Sequence, residues 1–346
     1  MGITESTAGT TAVAERHRDR TEPLLKASVG EAVEEFVEEF FARTVSRSLV
    51  HRSAVSEVLV TACSPLDADS ATFAIGVQLP RTHSFYGSIA GHWHDPLLVA
   101  EAVRQAGLIV GHRGLGIPLG HHFLMQDLAY GVTPDTMLVS DRPANLVLTV
   151  EVRDQVRRRT SVTGASLAVT ITRDGRPLGT GSARFSTVSP AAYRRMRSMG
   201  GLQSEPELPE SVPDSAAMPQ PLVPDSVGRD RSRDVVLSPT GRSGEWLLRA
   251  DRSHPVLFDH PVDHAPGMLL AEAVRQGAVA LLGRPKVLPV GLRMDYHRYV
   301  ELDSPCLVRA QVVERMDDLA IVQVELVQDG EVAVVGRLET VAGSSA

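Results

Sequence analysis

The hexapeptide Ala100-Glu-Ala-Val-Arg-Gln105 recurs without change as Ala271 to Gln276. An internal repeat constrains the fold of a chain like this more than any other feature, because each copy must bury the same face. The same register carries Arg81 onto Arg252, His83 onto His254, Arg113 onto Arg284, Pro118 onto Pro289, Gly120 onto Gly291 and Pro134 onto Pro305, with no gap. After a shift, Asp174-Gly175 matches Asp329-Gly330, and Gly181 matches Gly336. The chain reads as a tandem duplication.

Each half repeats one order of elements. In the first, Val55–Thr61 and Ala71–Leu79 read as strands. A helix follows over Leu97–Val110, its apolar residues at helical spacing, with Asp95 as N-cap and Pro96 just inside. Four long strands come next: Leu119–Tyr130, Asn145–Val156, Thr160–Thr172 and Arg176–Val188, the last two joined by the hairpin signal Asp174-Gly175. The second half gives a strand at Trp246–Ala250, a helix at Met268–Leu282, and strands at Val290–Tyr299, Cys306–Arg315, Ala320–Gln328 and Glu331–Val341. A buried helix followed by a meander of strands is an α+β layer arrangement, with the sheet wrapped round the helix. The expected organisation is an N-terminal extension over 1–50, partly disordered, with a short acidic amphipathic helix at Val29–Thr44. A first domain over 51–195, a Pro-rich mobile linker over 196–233 and a second domain over 234–346 follow.

A net charge of −7 with no long basic run argues against nucleic acid, and 4% aromatic residues provide few stacking platforms. The run Arg157-Arg158-Arg159 reads as a solvated face, with a docking patch for an acidic partner as the alternative. Cys63 and Cys306 form no metal or redox spacing, and no apolar run is long enough to cross a membrane. Met1–Arg20 is polar and lacks a signal core, so a cytoplasmic protein is expected.

Helical spacing places Glu101, Arg104 and Gln105 on one face, and Glu272, Arg275 and Gln276 on its copy. A Glu within an otherwise apolar helix is a candidate general base, and a structural Glu–Arg pair is the competing reading. The loop before the second helix, His254 to Gly267, crowds together His254, Asp259, His260, Asp263 and His264. Gly267 opens the helix, where close approach and free N–H groups suit an oxyanion or phosphate. A metal site at His260, Asp263 and His264 competes with this reading. Arg293 is a candidate anion clamp, or the partner of Asp295 or Glu301.

Pro266-Gly-Met-Leu-Leu-Ala-Glu272-Ala resembles the helix of hotdog hydroxyacyl-carrier-protein dehydratases, whose catalytic Glu falls on Glu272 and whose His falls on Phe258. A longer resemblance covers nearly the whole chain. His83-Ser-Phe-Tyr86, Asp95-Pro-Leu-Leu, Glu101-Ala-Val-Arg-Gln-Ala-Gly107, Pro118-Leu-Gly-His-His-Phe-Leu124 and Phe258-Asp-His-Pro-Val-Asp-His-Ala-Pro-Gly-Met-Leu269 are similar to the A-factor biosynthesis (AfsA) family. The resemblance implies two tandem hotdog domains forming a pseudo-dimer. It also implies transfer of a β-ketoacyl group from acyl carrier protein to dihydroxyacetone phosphate, leading to a butenolide phosphate precursor of a γ-butyrolactone or furan signal. Within it, Glu272 is the first candidate base and Glu101 the second, with His264 and His260 beside them. Gly267 supplies oxyanion donors, Arg275, Arg104 and Arg293 bind phosphate, and Gln276 and Asp263 line the site. No cofactor is implied. The rival readings are a dehydratase or thioesterase on the same fold, which would turn over without the acceptor, and a non-catalytic lactone-binding regulator. Oligomeric state is left open, a homodimer of the pseudo-dimer being one form.

Overall fold

The computed structural model describes residues 38–66, 71–199 and 218–342. Within the unit Met1–Arg43, residues 38–41 are helical. The rest of the proposed Val29–Thr44 helix, the first twenty residues and the linker prolines Pro206, Pro209 and Pro213 lie outside the described residues.

The second unit, Thr44–Ala346, holds both halves. The first contains β1 (Val60–Pro65), β2 (Thr72–Leu79), α1 (Leu97–Ile109), β3 (His122–Val132), β4 (Ala144–Arg158), β5 (Ser161–Arg173), β6 (Arg176–Val188) and α2 (Pro190–Met199). The second contains β7 (Leu237–Pro239), β8 (Glu245–Leu248), α3 (Gly267–Leu282), β9 (Leu288–Tyr296), β10 (Cys306–Met316), β11 (Leu319–Gln328) and β12 (Glu331–Val341). All twelve strands form one sheet in the order β1-β2-β4-β5-β6-β3-β9-β12-β11-β10-β8-β7. Every residue of α1 except Arg104 is buried, as is α3 from Met268 to Val279. Helices apolar on all sides need such wrapping. Both hairpin turns carry positive φ at two successive residues, Asp174-Gly175 and Asp329-Gly330, as a tight turn between twisted strands requires.

The halves meet where β3 pairs antiparallel with β9, Ala129 opposite Arg293. Two glycines show how the copies correspond. Gly181 leaves room for Val103 of α1, and Gly336 leaves room for Val274 of α3. Across the ladder Gly181 faces Tyr130, and Gly336 faces Met294. Met294 is therefore the counterpart of Tyr130, where an ungapped register would put Glu301. The gapless extension through Pro118/Pro289 and Gly120/Gly291 is corrected accordingly. The first half inserts a π-helical turn, Val110–Gly114, and a longer loop between helix and strand.

Other departures matter for function. Val55–Glu57 is a 3₁₀ turn rather than the start of a strand. The segment after β6 continues as α2, so Arg197 belongs to a helix instead of a linker. From Pro219 the chain is ordered against the second half, with 3₁₀ turns at Pro224–Val227 and Ser232–Asp234.

Candidate active site

The two helices carry matching buried ion clusters. Glu101 accepts hydrogen bonds from Arg104 Nε (2.8 Å), Arg52 Nε (3.0 Å) and Gln105 Nε2 (2.6 Å). Glu272 accepts from Arg275 Nε (2.9 Å), Arg229 Nε (2.8 Å) and Gln276 Nε2 (2.5 Å). The glutamines also splice the strand edges: Gln105 bonds Glu57 O and Leu59 N, and Gln276 bonds Asp234 O and Val236 N. Arg52 and Arg229 cross between halves, Arg52 to Val256 O and Arg229 to Phe85 O. Burial alone would raise both carboxyls. The arginines, Arg104 and Arg52 for Glu101 and Arg229 and Arg275 for Glu272, instead hold each at about 2. A carboxylate bonded in this way is a poor base.

The clusters differ in access. The ring of Phe85 lies under the Arg229 guanidinium at 4.1 Å, and Asp95 Oδ2 stands 3.7 Å from Arg229. These groups fill the slot beside Glu272, and the Arg275 side chain is 4% exposed. Val256 occupies the corresponding loop position beside Arg52, and the Arg104 side chain is 18% exposed. There a cavity of about 950 Å³ opens between the first half's α1 and β3 and the second half's 257–267 loop. Its apolar wall includes Leu108, Phe123, Leu128, Met268 and Leu270, and its polar wall includes Arg104, His260, Asp263, His264 and Gly267.

Within the cavity, His264 Nδ1 lies 2.7 Å from Asp263 Oδ1. Burial would raise the Asp263 carboxyl, but hydrogen bonds from His264 and Tyr193 and the Arg197 charge push it well below the usual carboxylate range. With Asp263 ionised, Nδ1 carries the ring proton and Nε2 is the acceptor, the polarity of a general base. Gly267 and Met268 contribute first-turn amides that no helical carbonyl reaches, while Leu269 and Leu270 bond Pro266 O. The positive end of α3 therefore borders the same cavity as the imidazole. His260 is half-exposed, its Nδ1 3.6 Å from Asp259, and burial lowers its pKa. Asp259 accepts from the Ser53 and Ala54 amides and so ties this loop to the first half.

Of the residues singled out from sequence, the fold gathers Arg104, His260, Asp263, His264 and Gly267 at the cavity, with Glu101 directly behind Arg104. Glu272, Arg275 and Gln276 form the closed cluster instead. Arg293 lies on the exposed sheet face, paired with Asp295 at 3.1 Å, the alternative considered for it. No group of three or more His, Cys, Asp or Glu among the described residues has metal-holding geometry, and His260, Asp263 and His264 form none. Sequence reasoning missed Arg52, Arg229, Tyr193, Arg197 and the cavity-lining Arg194 and Arg298. Two of these had a signal: Arg52…Glu57-Val-Leu repeats as Arg229…Asp234-Val-Val, one gap away from the main register.

Two helices embraced by one antiparallel sheet, with a cavity between copies, define a tandem hotdog protein. The chain belongs to the A-factor biosynthesis hotdog domain family, whose model matches residues 35–189 and 211–342. A 2-oxo-3-(phosphooxy)propyl 3-oxoalkanoate synthase from Streptomyces virginiae is 42% identical over 277 residues, covering 80% of this chain and 90% of its own. A protein of the same name from Streptomyces griseus is 41% identical over 291 residues, covering 83% and 92%. Among solved structures, a protein described as having a hot dog fold from Alicyclobacillus acidocaldarius aligns with a TM-score of 0.45 at 15% identity, over 82% of this chain and 97% of that one. Among the described residues, no helix is long and apolar enough to cross a membrane.

Proposed function

We propose that the chain is a 2-oxo-3-(phosphooxy)propyl 3-oxoalkanoate synthase, transferring a β-ketoacyl group from a carrier thioester to the hydroxyl of dihydroxyacetone phosphate. The observation that carries this reading is the His264–Asp263 dyad sharing one cavity with the amide-bearing start of α3. His264 Nε2 takes the acceptor's hydroxyl proton, and the alkoxide oxygen attacks the thioester carbonyl. The tetrahedral oxyanion is met by the Gly267 and Met268 amides. Collapse breaks the C–S bond, and the proton held by His264 leaves with the thiolate. The ester's methylene, flanked by two carbonyls, then adds to the acceptor's ketone and loses water, closing the butenolide phosphate. The base role thus moves from Glu272 to His264. Glu101 instead holds Arg104 at the cavity wall.

The apolar wall suits the acyl chain. Arg104, Arg194 and Arg298 offer cations for the acceptor phosphate. We assign the carrier as acyl carrier protein, with the cytoplasm as the compartment and no organic cofactor. The test is incubation with a β-ketoacyl thioester, with and without dihydroxyacetone phosphate, followed by mass spectrometry. Phosphorylated ester or butenolide formed only with acceptor is expected. Thioester consumption independent of acceptor would instead favour a thioesterase or dehydratase, and no turnover would favour a binding protein.

A further inference from the structure

Helix α2 lends the cavity Arg194, and its inner face is built against the dyad. Arg197 is 4% exposed and sits between two carboxylates. Its Nε donates to Asp263 Oδ2 at 3.0 Å, and Nη1 and Nη2 donate to the two oxygens of Glu301 at 2.7 Å each. Nη2 also reaches Asp263 O at 3.2 Å. One turn earlier, the Tyr193 hydroxyl donates to Asp263 at 2.8 Å. The Tyr193 ring stacks on His122, with centroids 3.8 Å apart and planes 7° apart, which fixes its position at the cavity wall. Tyr299 closes the arrangement, packing under Arg197 at 4.8 Å and against the His264 ring at 4.5 Å.

An ion-paired arginine in a protein interior is costly to desolvate. A bidentate guanidinium sets orientation as well as charge. Asp263 has one carboxylate with which to orient His264, and that carboxylate is held from the far side by two donors on one helix. In the other half the positions of Asp263-His264 are occupied by His92-Trp93, which carry no such dyad.

We propose that Arg197 and Tyr193 are positioning residues, with Glu301 as the anchor of Arg197. Together they clamp Asp263 so that His264 presents Nε2, and not Nδ1, to the acceptor hydroxyl. This rests on the reading of His264 as the base. With the guanidinium on Asp263 Oδ2 and the backbone O, and the Tyr193 hydroxyl on Oδ1, the rotations by which the carboxylate would release Nδ1–H are removed. The cavity lining includes Tyr193 but neither Arg197 nor Glu301.

The test uses the full chain carrying Arg197→Gln or Tyr193→Phe, each alone and combined with His264→Ala. Arg197→Gln is expected to lower kcat about 10- to 100-fold, with KM for thioester and acceptor within about twofold. Tyr193→Phe, which removes only a hydroxyl and leaves the stack, is expected to lower kcat several-fold. In the His264→Ala background both losses are expected to vanish. Nitrogen NMR of the His264 ring is expected to show the Nδ1–H tautomer in the parent chain and a mixture in Arg197→Gln. Should Arg197→Gln misfold, Tyr193→Phe carries the same readouts. A parent-like tautomer with full kcat in the variants, or losses that persist without His264, would overturn the clamp. An active His264→Ala protein would instead overturn the base assignment, which keeps the two failures distinct.

Discussion

Replacing His264 by alanine is expected to lower kcat for acyl transfer by about 10²- to 10⁴-fold, the usual contribution of a positioned general base. The side chain is 27% exposed, and Asp263 keeps its bonds to Arg197 and Tyr193, so the melting temperature is expected to move by only about 2 °C. KM for the thioester is expected to change little, because the proposed role of the imidazole is on the acceptor hydroxyl. His260→Ala is a matched control, since its ring lines the same cavity but lacks a carboxylate within hydrogen-bond distance. It is expected to cost less than about tenfold. The check is the initial rate of thiol release for the two variants side by side. Equal losses, or an unchanged His264→Ala, would remove the dyad from the mechanism.

The second large effect falls on stability. Glu272→Ala is expected to destabilise the fold by about 3–5 kcal/mol, because it leaves Arg229 and Arg275 buried without their shared carboxylate. Arg229 ties Phe85 of the first half to α3 of the second, so the loss reaches both halves. Activity per folded molecule is expected to survive within about twofold, since no member of this cluster lines the cavity. Denaturant unfolding combined with kcat corrected for folded fraction separates the two effects. There is an acid signature as well. Folding holds both Glu101 and Glu272 near 2, below the ordinary 4.5, so their stabilisation is complete above pH 4.5 and is lost as the pH falls toward 2. Removing Glu272 is expected to make that acid limb shallower. Loss of kcat in fully folded Glu272→Ala protein would return Glu272 to the chemistry.

The duplication explains both what sequence reading reaches and where it stops. The helices, the hairpins at Asp174-Gly175 and Asp329-Gly330, and the strands Arg176–Val188 and Glu331–Val341 are marked by local chemistry, namely apolar spacing and turn residues, and they fold as those patterns require. Which of the two ion clusters borders a cavity is not local. Glu101 and Glu272 sit in identical hexapeptides, and the difference comes from loops of the opposite half, where Phe85 fills one slot and Val256 leaves the other open. Helix α2 escaped notice because it is short, four of its ten residues are Arg or Ser, and its end runs into Ser, Glu and Pro. The ionic bonds of Arg197 to Asp263 and Glu301 are visible only once the chain is folded. The first-half insertion after α1 likewise broke a register that Pro118/Pro289 and Gly120/Gly291 made look continuous.

The central claim is that each chain has one working site, assembled from the helix of its first half and the loop of its second. Titration calorimetry with a β-ketoacyl thioether, in which a methylene blocks transfer, tests it directly. The account predicts one binding site per chain, weakened by narrowing the cavity at Leu108 or Leu270 and unaffected by changes at Phe85. Two equivalent sites per chain, or a site lost on altering Phe85 and kept on altering Leu108, would contradict it.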